Sequence, residues 1–115
     1  MIILQSLLDF KKGKNISSLK KYTVKDLNKY SPAIDINIYL SDVISLLKNY
    51  LEKKITLEEL MFWGDTVFYS DIFDYDEFDV DSISEIVSQL EGLDQINSSE
   101  AHHLVQNLYD TYKIE

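Results

Sequence analysis

The stretch KKITLEELMFWGDTVFY, residues 53–69, carries the strongest fold signal in this 115-residue chain. Thr56 stands three residues before Glu59, which is the spacing of a capping box at a helix N-terminus. Apolar residues then recur at intervals of three and four, as on one face of an α-helix. The stretch therefore predicts a helix from Thr56 to about Tyr69. The residues predicted to face the core are Leu57, Leu60, Met61, Gly64, Val67 and Phe68.

Within this helix, Gly64 leaves room for the backbone of a neighbouring element, and Trp63, the only tryptophan, is expected in the core. The preceding segment has the same helical period from Ile36 onward, with Asp35 as the expected N-cap residue. The apolar face of that upstream helix comprises Ile36, Tyr39, Leu40, Val43, Leu47, Tyr50 and Leu51.

Two more helices are predicted towards the C-terminus. Ser82 and Glu85 have the spacing of a second capping box, and Gly92 is expected to end the helix that follows them. Asn97 is expected to cap the last helix. The predicted core residues of these two helices are Ile83, Ile86, Val87, Leu90, Ala101, Leu104, Val105, Leu108 and Tyr112.

The first 35 residues have weaker patterns. We expect an apolar helix over Met1–Phe10, a lysine-rich turn over Lys11–Lys14, and a short helix over Val24–Tyr30 that Thr23 caps. A strand over Ile16–Val24 is the alternative for the middle of this region.

These patterns predict an all-α fold, a bundle of four to five helices joined by short loops. One proline and three glycines provide few turn signals for a sheet of many strands. The length fits a single domain over residues 1–115, in which residues 36–113 supply the core helices and residues 1–35 are the least defined.

Charge is distributed unevenly along the chain. Residues 1–60 contain ten lysines and seven acidic residues, whereas residues 61–115 contain one lysine and thirteen acidic residues, and the net charge is −9. An acidic C-terminal half repels phosphate backbones and attracts basic proteins. All eleven basic residues are lysine. The chain therefore lacks arginine, the residue that makes bidentate contacts with nucleic acid. We therefore expect a basic protein partner and no direct nucleic-acid binding.

The acidic charge is densest in SDIFDYDEFDVD, residues 70–81, where carboxylates alternate with apolar and aromatic residues. Charged groups for a basic partner surround aromatic anchors of the kind that interface centres favour. The predicted partner-binding residues are Asp71, Asp74, Tyr75, Asp76, Glu77, Phe78, Asp79 and Asp81. The alternative is that Ile72, Phe73 and Phe78 pack into the core while the carboxylates are only solvated.

Catalytic, metal and cofactor sites are not indicated. The chain has no cysteine, and its two histidines, His102 and His103, are adjacent, so they cannot both point at one metal from a helix. A calcium loop that starts at Asp74 fails because Phe78 and Asp79 occupy its fifth and sixth positions. No apolar run approaches the roughly 20 residues of a membrane span. The N-terminus lacks the features of a signal peptide. We expect a cytoplasmic protein that is not an enzyme.

Residues 50–67, YLEKKITLEELMFWGDTV, resemble a pattern in small helical bacterial immunity proteins. In that pattern a lysine-rich turn ends one helix, and the next helix begins with paired glutamates and leads to a tryptophan followed by a small residue. The proteins with this pattern include the colicin D immunity type and the type paired with contact-dependent inhibition toxins. The matching positions are Lys53, Lys54, Ile55, Thr56, Glu58, Glu59, Leu60, Trp63 and Gly64.

The resemblance implies an antitoxin that binds a cognate toxin, a basic nuclease, and occludes its active site with an acidic surface. Two other functions fit the sequence. One is an acidic regulator or DNA mimic that binds a different basic protein, and the other is a divalent-ion protein or enzyme that uses the carboxylates of residues 71–81. The sequence does not set the oligomeric state, and a monomer is the starting assumption.

Overall fold

The computed structural model describes residues 2–31 and 33–113. The predicted N-terminal helix is present, although its predicted first residue, Met1, lies outside the described residues. The elements in chain order are α1 (Ile2–Lys11), α2 (Val24–Asn28), β1 (Ile36–Ile38), α3 (Leu40–Leu51), α4 (Leu57–Tyr69), β2 (Phe73–Tyr75), α5 (Val80–Glu91) and α6 (Ser98–Tyr112). The fold is mostly helical, as predicted, but it is not strictly all-α because β1 and β2 form a small sheet.

The sheet replaces the predicted start of the upstream helix. β1 pairs in parallel with β2, and Ile36 lies opposite Phe73 in the register. Ile36 and Ile38 are both buried, which is the two-residue period of a strand. The prediction that Asp35 caps a helix is therefore wrong. α3 begins at Leu40, where the Asp42 carboxylate accepts a 3.0 Å hydrogen bond from the backbone N–H of Tyr39.

Three of the five predicted N-caps are confirmed. The hydroxyl of Thr23 accepts a hydrogen bond from the backbone N–H of Asp26, the hydroxyl of Thr56 accepts one from Glu59, and the side chain of Asn97 accepts one from Glu100. Each of these caps satisfies an N–H group that the helix itself leaves without a partner.

The prediction that Ser82 and Glu85 form a capping box at the start of a helix is wrong. α5 begins at Val80, because a 3-10 turn over Glu77–Asp79 leads directly into the helix. The proposed strand at Ile16–Val24 is also wrong, since Ile16–Leu19 forms a 3-10 turn. The predicted core residues of α5 are confirmed, and α5 ends at Glu91 with Gly92 as its C-cap.

Trp63 connects α4 to the C-terminal end of α1. Its side chain is fully buried, and the indole N–H donates a 2.8 Å hydrogen bond to the backbone carbonyl of Phe10. The Phe10 ring stacks on the indole with 6.1 Å between the centroids. The prediction that Phe68 faces the core is wrong, because its side chain is 44% exposed.

A buried ion pair connects α1 to β1 and α3. Lys11 and Asp42 are each only 9% exposed, and their charged atoms lie 3.5 Å apart. Lys11 also donates a 2.9 Å hydrogen bond to the carbonyl of Asn37, and its ammonium lies 4.7 Å from the centre of the Tyr39 ring. These contacts replace the water that both charges lose on burial, and they fix β1 beside the end of α1.

The close approach predicted at Gly64 is confirmed and is testable. A Cβ atom on Gly64 would lie 2.8 Å from Cβ of Leu90 and 3.2 Å from its carbonyl carbon, so α5 would have to move. Overpacking of this kind costs about 1–3 kcal/mol. It exceeds the roughly 1 kcal/mol that alanine gains over glycine in a helix. We expect Gly64→Ala to lower the free energy of unfolding in urea denaturation.

The matched control is Gly92→Ala. No atom lies within 4 Å of a Cβ at that position, and its φ of −85° suits any residue. This change should leave stability unaltered or raise it by up to about 1 kcal/mol. Equal effects of the two substitutions would contradict the tight contact between α4 and α5.

Candidate functional site

The candidate site is the acidic segment, defined as Asp71–Asp81, which runs from the end of α4 through β2 to the start of α5. Two hydrogen bonds to the side-chain oxygen of Asn28 hold its first residues. The buried Ser70 hydroxyl donates one at 3.1 Å, and the backbone N–H of Asp71 donates the other at 2.7 Å. At the other end of β2 the backbone N–H of Asp76 donates to the carbonyl of Ile38 at 2.9 Å. The segment is therefore an ordered element and not a loose connector.

The alternation of carboxylates and aromatic residues follows from the strand. Ile72 and Phe73 are buried, and the Phe73 ring lies 5.8 Å from that of Phe10, whereas Asp74 is exposed and Tyr75 is half-buried. The alternative in which the apolar residues pack into the core is thus correct for Ile72 and Phe73. It is wrong for Phe78, which is 87% exposed.

The six carboxylates of the acidic segment remain free of lysine partners. Four of them are exposed and two, Asp76 and Asp79, are half-buried. Among residues 2–31 and 33–113, no ion pair involves any of the six. The lysines that do form ion pairs use Asp26, Asp42, Glu52 and Asp110. The exposed carboxylates are Asp71, Asp74, Glu77 and Asp81, and together with Phe78 they are accessible to a partner.

Asp35 was predicted to cap a helix. It instead adds a carboxyl group to the candidate site. β1 and β2 bring the carboxyl groups of Asp35 and Asp74 within hydrogen-bonding reach of each other. A hydrogen bond in which the protonated Asp74 carboxyl donates to the Asp35 carboxylate raises the pKa of Asp74, and partial desolvation and the charge of Asp35 raise it further. Only the pairing of the two strands reveals this contact, because the residues are 39 positions apart along the chain.

A second acidic group lies where α4 and α5 pack together. The pKa of Asp65 is raised by burial and then by the charges of Glu91 and Asp94. The Tyr69 hydroxyl donates a 2.9 Å hydrogen bond to Glu91, and the rings of Phe68 and Tyr69 are 44% and 54% exposed. The sequence interpretation missed this group because its three carboxylates come from two helices and a turn.

No arrangement for metal binding is found in the described residues. Within residues 2–31 and 33–113, no three side chains of His, Asp or Glu are placed to hold a metal ion. His102 and His103 are both exposed on α6. No helix of the described chain has the length and apolar character needed to cross a membrane.

The contact between Asp35 and Asp74 predicts a pH effect. Because the folded-state pKa of Asp74 is raised, the contact favours folding below the unfolded pKa of about 3.9, and this contribution is lost as pH rises through the folded pKa. Asp35→Asn removes one charge and supplies an amide donor, so the pKa of Asp74 should fall. NMR titration of the carboxyl carbons measures this shift. Asp81→Asn is the control, and an equal shift in that variant would contradict the contact.

Comparisons of the chain with protein-family models, with curated proteins and with solved structures gave no match. No residue of the acidic segment therefore takes a role from a relative. Its role is argued from its own geometry: carboxylates without lysine partners, an exposed phenylalanine, and a backbone held by β1 and Asn28.

Proposed function

We propose that this chain is a cytoplasmic immunity protein, a non-enzymatic inhibitor that binds a basic toxin through the acidic segment. The observation that carries the proposal is the arrangement around Phe78. This ring projects into solvent among carboxylates that form no ion pair with any lysine of the described residues, on a backbone fixed at both ends of β2. The resemblance of residues 50–67 to helical immunity proteins supports the same function.

The mechanism combines charge and an aromatic anchor. In a nuclease, basic side chains bind the phosphates of the substrate, and the carboxylates of the acidic segment would occupy these side chains instead. Attraction between the acidic segment and a basic face speeds encounter and weakens as salt is added. Phe78, with the half-buried Tyr75 beside it in the segment, would fill the centre of the interface, where aromatic residues contribute most.

Order in the free protein supports tight binding. A flexible acidic loop would lose conformational entropy when it docks, and this loss subtracts from affinity. Here the backbone hydrogen bonds of Ile36 and Asp76 already fix the segment against β1 at 2.8 and 2.9 Å. The backbone that carries its carboxylates is consequently in place before the partner arrives.

The proposal predicts protection against the product of an adjacent toxin gene. When that product is expressed alone it should stop growth, and co-expression of this chain should restore growth. A harmless neighbouring product, or toxicity that this chain does not relieve, would contradict the immunity function. If the chain instead binds a basic regulator without protecting cells, the result favours the DNA-mimic alternative.

Neutralisation of the acidic segment tests the site. The test variant combines four substitutions: Asp74→Asn, Asp76→Asn, Glu77→Gln and Asp79→Asn. It should slow toxin association by about 10- to 100-fold at low salt, because it removes charges that steer the encounter. Stopped-flow fluorescence measures the association rate. Circular dichroism should show unchanged helicity, since none of the four charges forms an ion pair in the described chain and surface charges contribute little to folding.

The matched control removes four charges elsewhere: Glu58→Gln, Asp94→Asn, Glu100→Gln and Asp110→Asn. These four residues are exposed and lie outside the acidic segment. The control variant has the same net charge as the test variant, so it separates the local contribution from the overall field. If both variants bind the toxin equally well, the acidic segment is not the contact surface.

A further inference from the structure

The described chain contains a basic groove as well as the acidic segment. The basic groove is an open depression of about 470 Å³ beside α2, lined by Lys21, Tyr22, Asp26, Lys29 and Tyr30. Residues 20–29 include four lysines, and all four are exposed. A groove with aromatic walls and ammonium groups fits a ligand that combines an aromatic ring with carboxylates.

The one carboxylate in the basic groove is already engaged. Asp26 accepts a 3.0 Å hydrogen bond from the backbone N–H of Thr23 and lies 3.8 Å from the ammonium of Lys29. The hydrogen bonds from Thr23 and the charge of Lys29 lower the pKa of Asp26. Lys21 pairs with no carboxylate in the described chain; its ammonium lies 5.5 Å from the centre of the Tyr22 ring. Positive charge therefore remains for an incoming anion.

A hydrogen bond connects α2, which carries part of the basic groove, to the acidic segment. Asn28 belongs to α2, one residue before Lys29, and its side chain holds Asp71 at the start of the acidic segment. A surface that carries a basic half beside an acidic half is complementary to itself under two-fold rotation. Each half of one copy then meets the opposite half of the other.

We propose that two copies of this chain associate about a two-fold axis, with Phe78 of each copy in the basic groove of the other. The carboxylates beside Phe78 then lie against Lys21 and Lys29, and the Phe78 ring lies between Tyr22 and Tyr30. This association does not depend on the proposed immunity function, because its occupant is the chain itself. Two small contacts make a weak interface at the lower end of the size range, so dimers form only at high protein concentration.

Sedimentation equilibrium of the full chain tests the association. At about 0.5 mM, where a weak interface is populated, the average mass should rise above the 13.4 kDa of one copy. Phe78→Ala should weaken the association about tenfold or more, as expected for removal of a central aromatic anchor. A wild-type chain that stays monomeric would overturn the proposal. Binding of a single-stranded oligonucleotide by that monomer would assign the basic groove to nucleic acid instead.

Charge reversal gives a sharper test. Lys21→Glu with Lys29→Glu reverses the basic groove. Lysine at the four exposed carboxylates, Asp71→Lys, Asp74→Lys, Glu77→Lys and Asp81→Lys, reverses the acidic segment. Each variant alone should remain monomeric, since both of its contacts become repulsive. A mixture of the two should form a heterodimer. In one contact the acidic groove of the first variant meets the lysine-bearing segment of the second, and in the other contact a native acidic segment meets a native basic groove. Both variants remain acidic overall, so net charge cannot produce this recovery.

The matched control is Lys12→Glu with Lys14→Glu, which reverses two exposed lysines outside the basic groove. It should dimerise within about threefold of the wild-type chain, the size of effect expected for charges away from an interface. Failure of the two reversed variants to associate with each other would overturn the proposed geometry. Dimerisation of the groove variant by itself would do the same.

Discussion

The parallel pairing of β1 with β2 is the constraint on which the candidate site depends. Hydrogen bonds from Ile36 to Ile72 and from Asp76 to Ile38, 2.8 and 2.9 Å long, turn an acidic connector into a fixed surface. Parallel strands need a crossover connection, and here α3 and α4 provide it. Trp63 of α4 is hydrogen-bonded to Phe10 of α1, so the helical core holds the crossover in place. The position of the crossover in turn sets that of the short sheet.

Repulsion between carboxylates at the C-terminal end of α5 and beside β2 opposes folding locally. α5 ends at Glu91 and has no basic residue in its last turn, although a positive charge is the favourable one near a helix C-terminus. The pKa of Asp65 is raised at the same place by burial and by the charges of Glu91 and Asp94, and the pKa of Asp74 is raised beside Asp35. Two separate parts of the surface thus hold carboxylates in unfavourable proximity. A cationic partner at the acidic segment would relieve the repulsion at Asp74, which supports the proposed function.

Local signals were predictable from the sequence, and long-range ones were not. The capping residues Thr23, Thr56 and Asn97 act on atoms three residues away, so their spacing alone identified three helix starts. β1 is only three residues long, and its partner lies 37 positions further along the chain. Ile36 also fits the helical period of the residues that follow it, and only tertiary pairing decides between strand and helix here. The acidic segment is contiguous in the sequence and was identified. Asp35 joins it only through the pairing of β1 with β2, so its contribution was missed.

The two proposed partners of Phe78 exclude each other, and concentration decides between them. A copy whose Phe78 lies in another copy's basic groove cannot present that ring to a toxin. The fraction of chain in dimers therefore lowers the apparent affinity for the toxin. A weak dimer is mostly dissociated when the protein is dilute, so the acidic segment is then free. At high concentration the proposed dimer would instead cover Phe78 and the carboxylates beside it. On both proposals Phe78 therefore sets the balance between self-association and toxin binding.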